Sequence, residues 1–114
     1  MSRKKEEIAE QQKIETEIRR IKIPRGTQTF GLVTRMLGSS RMEVKCFDGK
    51  TRVCRIPGRL KRSLWVKLSD IVIVEPWEYL GDEKGDIIFK YTPMQVSWLK
   101  SKGYLKQLET MEEF

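Results

Sequence analysis

The chain has 114 residues and a mass of 13.5 kDa, which is the size of one ordinary domain with a modest core. Its 23 Lys and Arg outnumber its 16 Asp and Glu, so the formal net charge is +7 and a polyanionic partner is favoured. The absence of His and the presence of only two Cys exclude His-based acid–base catalysis, imidazole metal sites and an all-cysteine zinc site within one chain. We therefore expect no catalytic residue, no bound metal and no cofactor.

No segment of the sequence has the character of a membrane span or a secretory signal. The longest uninterrupted aliphatic run covers only residues 71–74, whereas a spanning helix needs roughly 20 apolar residues. Residues 1–7 carry charges of both signs and lack the apolar core of a signal peptide. Two cysteines without a secretory context indicate reduced thiols. We expect a cytoplasmic protein with no membrane partner.

Residues 1–24 are predicted to form a flexible N-terminal arm. Ile14, Ile18 and Ile21 have helical spacing, but a stripe shorter than about three turns does not hold an isolated helix in water. The segment has no aromatic residue, and Pro24 marks its junction with the folded body.

The segment from 25 to 91 is predicted to form a small β-barrel. Residues 29–37 are rich in β-formers and end at a Gly-Ser-Ser turn, and Gly31 predicts a bulge or sharp bend there. Residues 41–47 alternate apolar and mostly charged positions, which is typical of a half-buried strand. Asp48-Gly49 predicts a hairpin leading into residues 50–56, whose inward set is ambiguous because Val53 and Ile56 fall on opposite faces.

Two further strands complete the pattern. Residues 70–76 read as a buried strand and residues 87–91 as a fifth, with a basic connector at 59–65 between the third and fourth. Five short strands at this spacing favour a closed barrel.

Residues 92–114 are predicted to form a helix followed by an acidic tail. Thr92 and Gln95 make a capping box around Pro93, which is well suited to the first helical position. Val96 and Leu99 supply the apolar face of the helix, and Gly103 ends it.

The basic residues cluster in a way that predicts an RNA-binding surface. Nine Lys and Arg lie between positions 35 and 62, against Glu43 and Asp48 only. Cations bind backbone phosphates, and exposed aromatic rings stack on unpaired bases. The predicted RNA-binding residues lie on the second strand and on the connector: Arg41, Lys45, Phe47, Arg59, Lys61, Arg62, Trp65 and Lys67. The alternative is that Trp65 plugs the bottom of the barrel and that the charges form an ordinary solvated face.

Other groups that could carry chemistry are weaker candidates. Cys46 and Cys54 flank the same hairpin and are expected to be small core residues, because no base stands beside them in the sequence. Asp82, Glu83 and Asp86 lack the alternating ligand positions of a calcium loop and are expected to form a solvated turn.

The order and spacing of several short motifs resemble one known family. Residues 36–38, Arg41, 46–49, 54–58, 65–66, 70–77 and 91–92 follow one another as they do in translation initiation factor 1A, and the short chain is similar to the archaeal form. The resemblance covers residues 25–105. It implies an OB-fold barrel with a C-terminal helical extension.

The resemblance also implies a function. Members of this family bind the aminoacyl-tRNA (A) site of the small ribosomal subunit, contact the decoding region of its rRNA, and promote initiator tRNA binding and start-site selection. By family position the RNA contacts would be Arg41, Arg59, Lys61, Arg62 and Trp65. Residues 105–114 would be the candidate contact for the translation GTPase initiation factor.

Two other hypotheses stay open at this stage. The chain could be a generic single-stranded RNA-binding OB protein, such as an RNA chaperone, with no preference for ribosomal subunits. It could also be a protein-interaction adaptor whose C-terminal segment recruits a partner. A monomer in solution is expected in each case.

Overall fold

A computed structural model describes Gln12, Arg19 and residues 21–108 of the chain. The described elements are β1 (Thr29–Gly38), β2 (Arg41–Cys46), β3 (Thr51–Arg55), a 3₁₀ helix (Gly58–Leu60), β4 (Ile71–Pro76), β5 (Lys84–Lys90) and α1 (Pro93–Ser101). The predicted five-stranded barrel with a helix at its C-terminal end is therefore confirmed. The first 20 positions of the predicted arm, Gln12 and Arg19 apart, and the tail from 109 lie outside the described residues.

The five strands close into a barrel in the order β1-β2-β3-β5-β4. Neighbouring strands are antiparallel except for β3 and β5, which run parallel, and β4 returns to pair with β1. The hairpin connecting β2 and β3 turns at Gly49, whose φ of 91° is favourable only for glycine.

The prediction of a bulge at Gly31 is wrong. Gly31 pairs in regular register with Cys46 on one side and Val72 on the other, and the irregularities of β1 come later, after Val33 and after Met36. A Cβ atom at Gly31 would lie 2.4 Å from Cγ1 of Val44, so the glycine is required by close packing inside the barrel.

Two separate apolar clusters stabilise the fold. The interior cluster fills the barrel and consists of Val33, Met42, Val44, Cys46, Cys54, Val72, Val74 and Ile87. The exterior cluster lies between the barrel and the C-terminal segment and consists of Ile71, Ile73, Tyr91, Leu99, Leu105 and Leu108. Strand β4 contributes to both, which explains why residues 71–74 are apolar without alternation.

The inward-facing residues of β3 resolve an ambiguity of the sequence. Arg52 and Cys54 point into the barrel, and the Arg52 side chain is only 2% exposed. Its guanidinium donates two hydrogen bonds to the Asp48 carboxylate, at 3.1 and 2.8 Å, and one to the carbonyl of Gly81 at 2.5 Å. Burial disfavours both charges, but their mutual hydrogen bonding raises the pKa of Arg52 and lowers that of Asp48. Arg52 therefore ties the β2–β3 hairpin to the β4–β5 loop.

The C-terminal helix has the predicted capping box. The Thr92 hydroxyl accepts from the Gln95 backbone N–H at 3.3 Å, and the Gln95 side chain accepts from the Thr92 N–H at 2.9 Å. Leu99 on its inner face is fully buried. Within the described part of the chain, no helix has the length and hydrophobicity needed to cross a membrane.

The last residues of the predicted arm lie against the barrel. Ile21 and Ile23 are partly buried on the exterior cluster, and the Tyr91 hydroxyl donates a hydrogen bond to the Lys22 carbonyl.

Candidate RNA-binding interface

The connector between β3 and β4 presents Trp65 to solvent. Leu64 and Val66 on either side pack against the interior cluster of the barrel, so the alternation turns Trp65 outward, where it is 76% exposed. The reading of Trp65 as a plug is therefore wrong, because its two neighbours occupy that place. An exposed indole leaves apolar surface in contact with water and is available for stacking.

Hydrogen bonds hold this part of the connector to the barrel. Lys90 on β5 donates to the Trp65 carbonyl at 2.8 Å and forms an ion pair with Asp70 at 3.3 Å. The same Asp70 carboxylate accepts from the Lys67 backbone N–H at 2.7 Å. The backbone that carries Trp65 is thereby positioned before any ligand arrives.

The cationic side chains of the connector are exposed around Trp65. Arg59 lies in the 3₁₀ helix, Lys61 and Arg62 in the turn that follows it, and Lys67 beyond Trp65. None of the four forms an ion pair within the described residues, and Asp70, the acidic residue of this segment, is already paired with Lys90. The connector therefore carries an unbalanced positive charge suited to phosphate groups.

The second strand carries two further exposed cations. Arg41 and Lys45 both lie on the outer face of β2, as their alternation predicts. Glu43 stands between them, but it accepts a hydrogen bond from Thr34 and lies 3.9 Å from the Arg35 guanidinium. The acidic residue on this face is thus already engaged, and Arg41 and Lys45 keep their charge available.

Phe47 occupies a different environment from Trp65. The alternation along β2 places Phe47 on the outer face of the barrel, but its side chain is half-buried against the exterior cluster. Its ring centroid lies 5.7 Å from that of Phe30. It lines a cavity of about 480 Å³ together with Tyr104 and Lys106. Stacking of a base on Phe47 stays a prediction, and a base would have to reach it through this cavity.

The structure also places residues beside Arg41 that sequence reasoning missed. Arg55 is directly opposite Arg41 in the β2–β3 register, and its guanidinium lies 4.8 Å from the centroid of the Trp77 ring. Asp86 accepts from Arg55 Nε at 3.3 Å and from the Trp77 indole N–H at 2.9 Å. No local signal could have found this group, because the parallel pairing of β3 with β5 brings its members together.

The groups considered for other chemistry have no such arrangement. Cys46 and Cys54 are free thiols and almost fully buried, as expected of core residues. Burial raises the pKa of both, that of Cys54 to about 12, so neither supplies a thiolate near neutral pH. Among the residues that the structure describes, no group of three or more Cys, Asp or Glu is placed to hold a metal ion.

Comparison with known proteins gives a consistent result. A family model described as translation initiation factor 1A / IF-1 matches residues 16–113. The chain is 56% identical over 90 residues to translation initiation factor 1A of Methanococcus aeolicus, a match that covers 77% of this chain and 86% of that protein. It is 48% identical over 91 residues to translation initiation factor 1A of Pyrococcus abyssi, which covers 80% of each.

Among solved structures, the solution structure of a translation initiation factor IF-1 from the Wolbachia endosymbiont of Brugia malayi matches with a TM-score of 0.47. Its sequence identity is 26%, and the match covers 58% of this chain and 78% of that chain.

Proposed function

The chain belongs to the translation initiation factor 1A / IF-1 family, and from that premise we propose that it binds the A-site decoding region of the small ribosomal subunit through contacts with rRNA. We further propose that it promotes initiator tRNA binding and start-site selection from that position. Its place of action would be the cytoplasm, where it would act as a monomer.

The observation that carries this proposal is the exposure of Trp65 among unpaired cations. The indole is 76% exposed on a backbone anchored by Lys90, and Lys61, Arg62 and Lys67 flank it without acidic partners among the described residues. Phosphate contacts supply affinity and orientation, while an aromatic face selects an unstacked base. Single-stranded or distorted RNA, as at a decoding centre, offers both groups together.

The proposed mechanism is occupancy and involves no covalent step. The protein would exclude elongator tRNA from the A site by its bulk and would favour the subunit conformation to which it binds more tightly. A ligand shifts such an equilibrium only by its difference in affinity for the two states. The effect on start-site selection would therefore depend on how the connector contacts change between those states.

A contact with the translation GTPase initiation factor is part of the proposal. Leu105 and Leu108 are buried in the exterior cluster, so their side chains are committed to the fold. Within the candidate segment 105–114, the contact would therefore fall to the exposed Lys106 and Gln107 and to the residues after Leu108, three of which are acidic.

The test of the proposal is co-sedimentation with purified small ribosomal subunits at moderate salt. Lys61→Glu with Arg62→Glu reverses two connector charges, and Lys100→Glu with Lys102→Glu is the matched control on the exposed surface of the C-terminal segment. We expect saturable one-to-one binding that the connector variant loses and the control variant keeps. Equal loss in both variants, or no loss in either, would contradict the proposal.

A parallel titration with an unstructured RNA of similar length distinguishes the generic alternative. We expect the subunit to bind more tightly than the free RNA. Equal affinity for the two would replace the proposed function with that of a general single-stranded RNA-binding protein.

A further inference from the structure

We propose that the outer face of β2, β3 and β5 holds a second nucleotide, whose base stacks on the Arg55 guanidinium and whose phosphate is bound by Arg41 and Lys84. This second position is separate from the connector and is reached by the same RNA strand or a neighbouring one. The inference rests on the proposed function, because it presumes an RNA ligand.

The first observation is a cation–π contact between two planar groups. The Arg55 guanidinium lies 4.8 Å from the Trp77 ring centroid, while 60% of the Arg55 side chain stays exposed. The guanidinium thus contacts an indole, and much of the side chain is open to a ligand. Guanidinium planes and aromatic rings are the surfaces on which unpaired bases stack.

The second observation is that hydrogen bonds hold the contact between Arg55 and Trp77 in place before any ligand binds. Asp86 bonds to Arg55 Nε at 3.3 Å and to the Trp77 indole N–H at 2.9 Å, so one carboxylate orients both planes. The Trp77 backbone N–H in turn donates to the Lys84 carbonyl at 3.1 Å. A base arriving here would not have to order a free arginine, which reduces the entropic cost of binding.

The third observation is a like-charge pair. Arg41 and Arg55 are directly opposite in the register of two antiparallel strands, an arrangement that destabilises a sheet. Asp86 compensates Arg55, whereas Arg41 has no ion pair among the described residues. The nearby acidic residue Glu75, on β4, is paired in register with Asp86 on β5 and forms no ion pair with Arg41 in the described part of the chain. An anion bound between Arg41 and Lys84 would offset this repulsion.

The size and chemistry of the site favour a nucleotide over an acidic peptide. Arg41, Arg55, Trp77 and Lys84 line a cavity of about 260 Å³. That is below the roughly 300–1,000 Å³ of pockets that take drug-sized ligands, so the site suits one small group such as a single base. Asp86 engages Arg55 Nε, while the guanidinium plane is open to a flat ring, which a nucleotide base has and a carboxylate lacks.

The experiment is an NMR titration of the full chain with hexaadenylate RNA and with a matched abasic ribose-phosphate hexamer. The Trp77 indole N–H, bonded to Asp86, reports directly on the site. Arg55→Lys keeps the charge and removes the planar group. Arg35→Lys is the matched control on the same sheet face, since Arg35 pairs with Glu43 and stacks on no described ring. Thermal unfolding confirms that each variant is folded at the titration temperature.

We expect hexaadenylate to shift the Trp77 indole signal and Arg55→Lys to weaken its binding about three- to tenfold. The abasic hexamer should bind both proteins alike, because it has no base to stack, and Arg35→Lys should bind hexaadenylate as the wild type does. An unmoved Trp77 signal in the wild type would overturn the inference. So would an equal loss with the abasic strand, which would show a phosphate contact only.

The same titration with Lys61→Glu and Arg62→Glu separates this inference from the proposed function. Weaker binding in that variant with no effect of Arg55→Lys would overturn the second position and leave the connector site intact. Binding that neither the connector variant nor Arg55→Lys weakens would contradict the proposed function as well as the second nucleotide position.

Discussion

Replacing Trp65 by alanine should weaken RNA binding while leaving the fold nearly as stable as before. The indole is 76% exposed, and its neighbours Leu64 and Val66 make the packing contacts of the connector. Of the roughly 150–250 Å² that a tryptophan can bury, only about 40–60 Å² is therefore buried here. At about 25 cal/mol per Å², the loss is at most about 1–1.5 kcal/mol of unfolding free energy.

The expected loss of binding is larger than that change in stability. Stacking of a base on an aromatic side chain contributes about 1–3 kcal/mol by alanine substitution, which corresponds to roughly five- to 150-fold in affinity. Trp65→Phe should retain most of the binding, because phenylalanine keeps a stacking face. Tyr79→Ala is a matched control, since Tyr79 is 80% exposed on the acidic β4–β5 loop and is not among the predicted RNA-binding residues.

The assay pairs chemical denaturation with fluorescence anisotropy of a labelled RNA or direct binding to small subunits. We expect Trp65→Ala to be folded with a dissociation constant raised at least about fivefold, and Tyr79→Ala to bind as the wild type does. A folded Trp65→Ala variant with unchanged affinity would refute the role given to the exposed indole. An equal loss in Tyr79→Ala would refute its specificity.

The remaining predictions concern the Arg52–Asp48 ion pair, its pH dependence, the salt dependence of RNA binding and the packing of the barrel interior. Arg52→Met should lower the free energy of unfolding by about 2–4 kcal/mol in urea denaturation, because the Arg52 side chain is 2% exposed and that of its partner Asp48 is 35% exposed. Arg35→Met is the control at an ion pair whose arginine is 69% exposed, and it should change the free energy of unfolding by less than about 1 kcal/mol. Folding lowers the pKa of Asp48, so its carboxylate stabilises the fold above the pKa of the unfolded chain, and this stabilisation is lost as the pH falls through the lower pKa of the folded state. Between about pH 5 and 2, the melting temperature should therefore fall less steeply in Arg52→Met than in the wild type. Lys61→Gln should reduce the slope of log affinity against log salt by about 1, and an unchanged slope would remove it from the phosphate contacts. Gly31→Ala should destabilise the barrel by about 1–3 kcal/mol, because its Cβ would lie 2.4 Å from a valine methyl group; an unchanged midpoint would show that the barrel accommodates it.

Features that depend on neighbouring residues were predictable from the sequence. The capping box at Thr92 needs only a hydroxyl, a proline and a glutamine within four positions, and all three behave as expected. The outward positions of Arg41 and Lys45 follow from strict alternation along β2. The same alternation in Leu64-Trp65-Val66 accounts for the exposure of Trp65, which its predicted place among the RNA-binding residues requires.

Features that depend on chain closure were not predictable in this way. The inward set of the third strand was ambiguous in the sequence, and Arg52 belongs to it because the Asp48 carboxylate and the Gly81 carbonyl accept hydrogen bonds from its guanidinium. The contact of Arg55 with Trp77 requires the parallel β3–β5 pairing, which joins segments far apart in sequence. Such contacts have no local pattern, so only the assembled barrel shows them.

The central claim is that the basic connector contacts rRNA at the decoding region, and single-particle cryo-electron microscopy of the protein bound to small ribosomal subunits tests it most directly. We expect density for the barrel in the A site, with residues 59–67 facing rRNA phosphates and the Trp65 ring against an unpaired base. Density at another location, or in the A site with the connector turned to solvent, would contradict it.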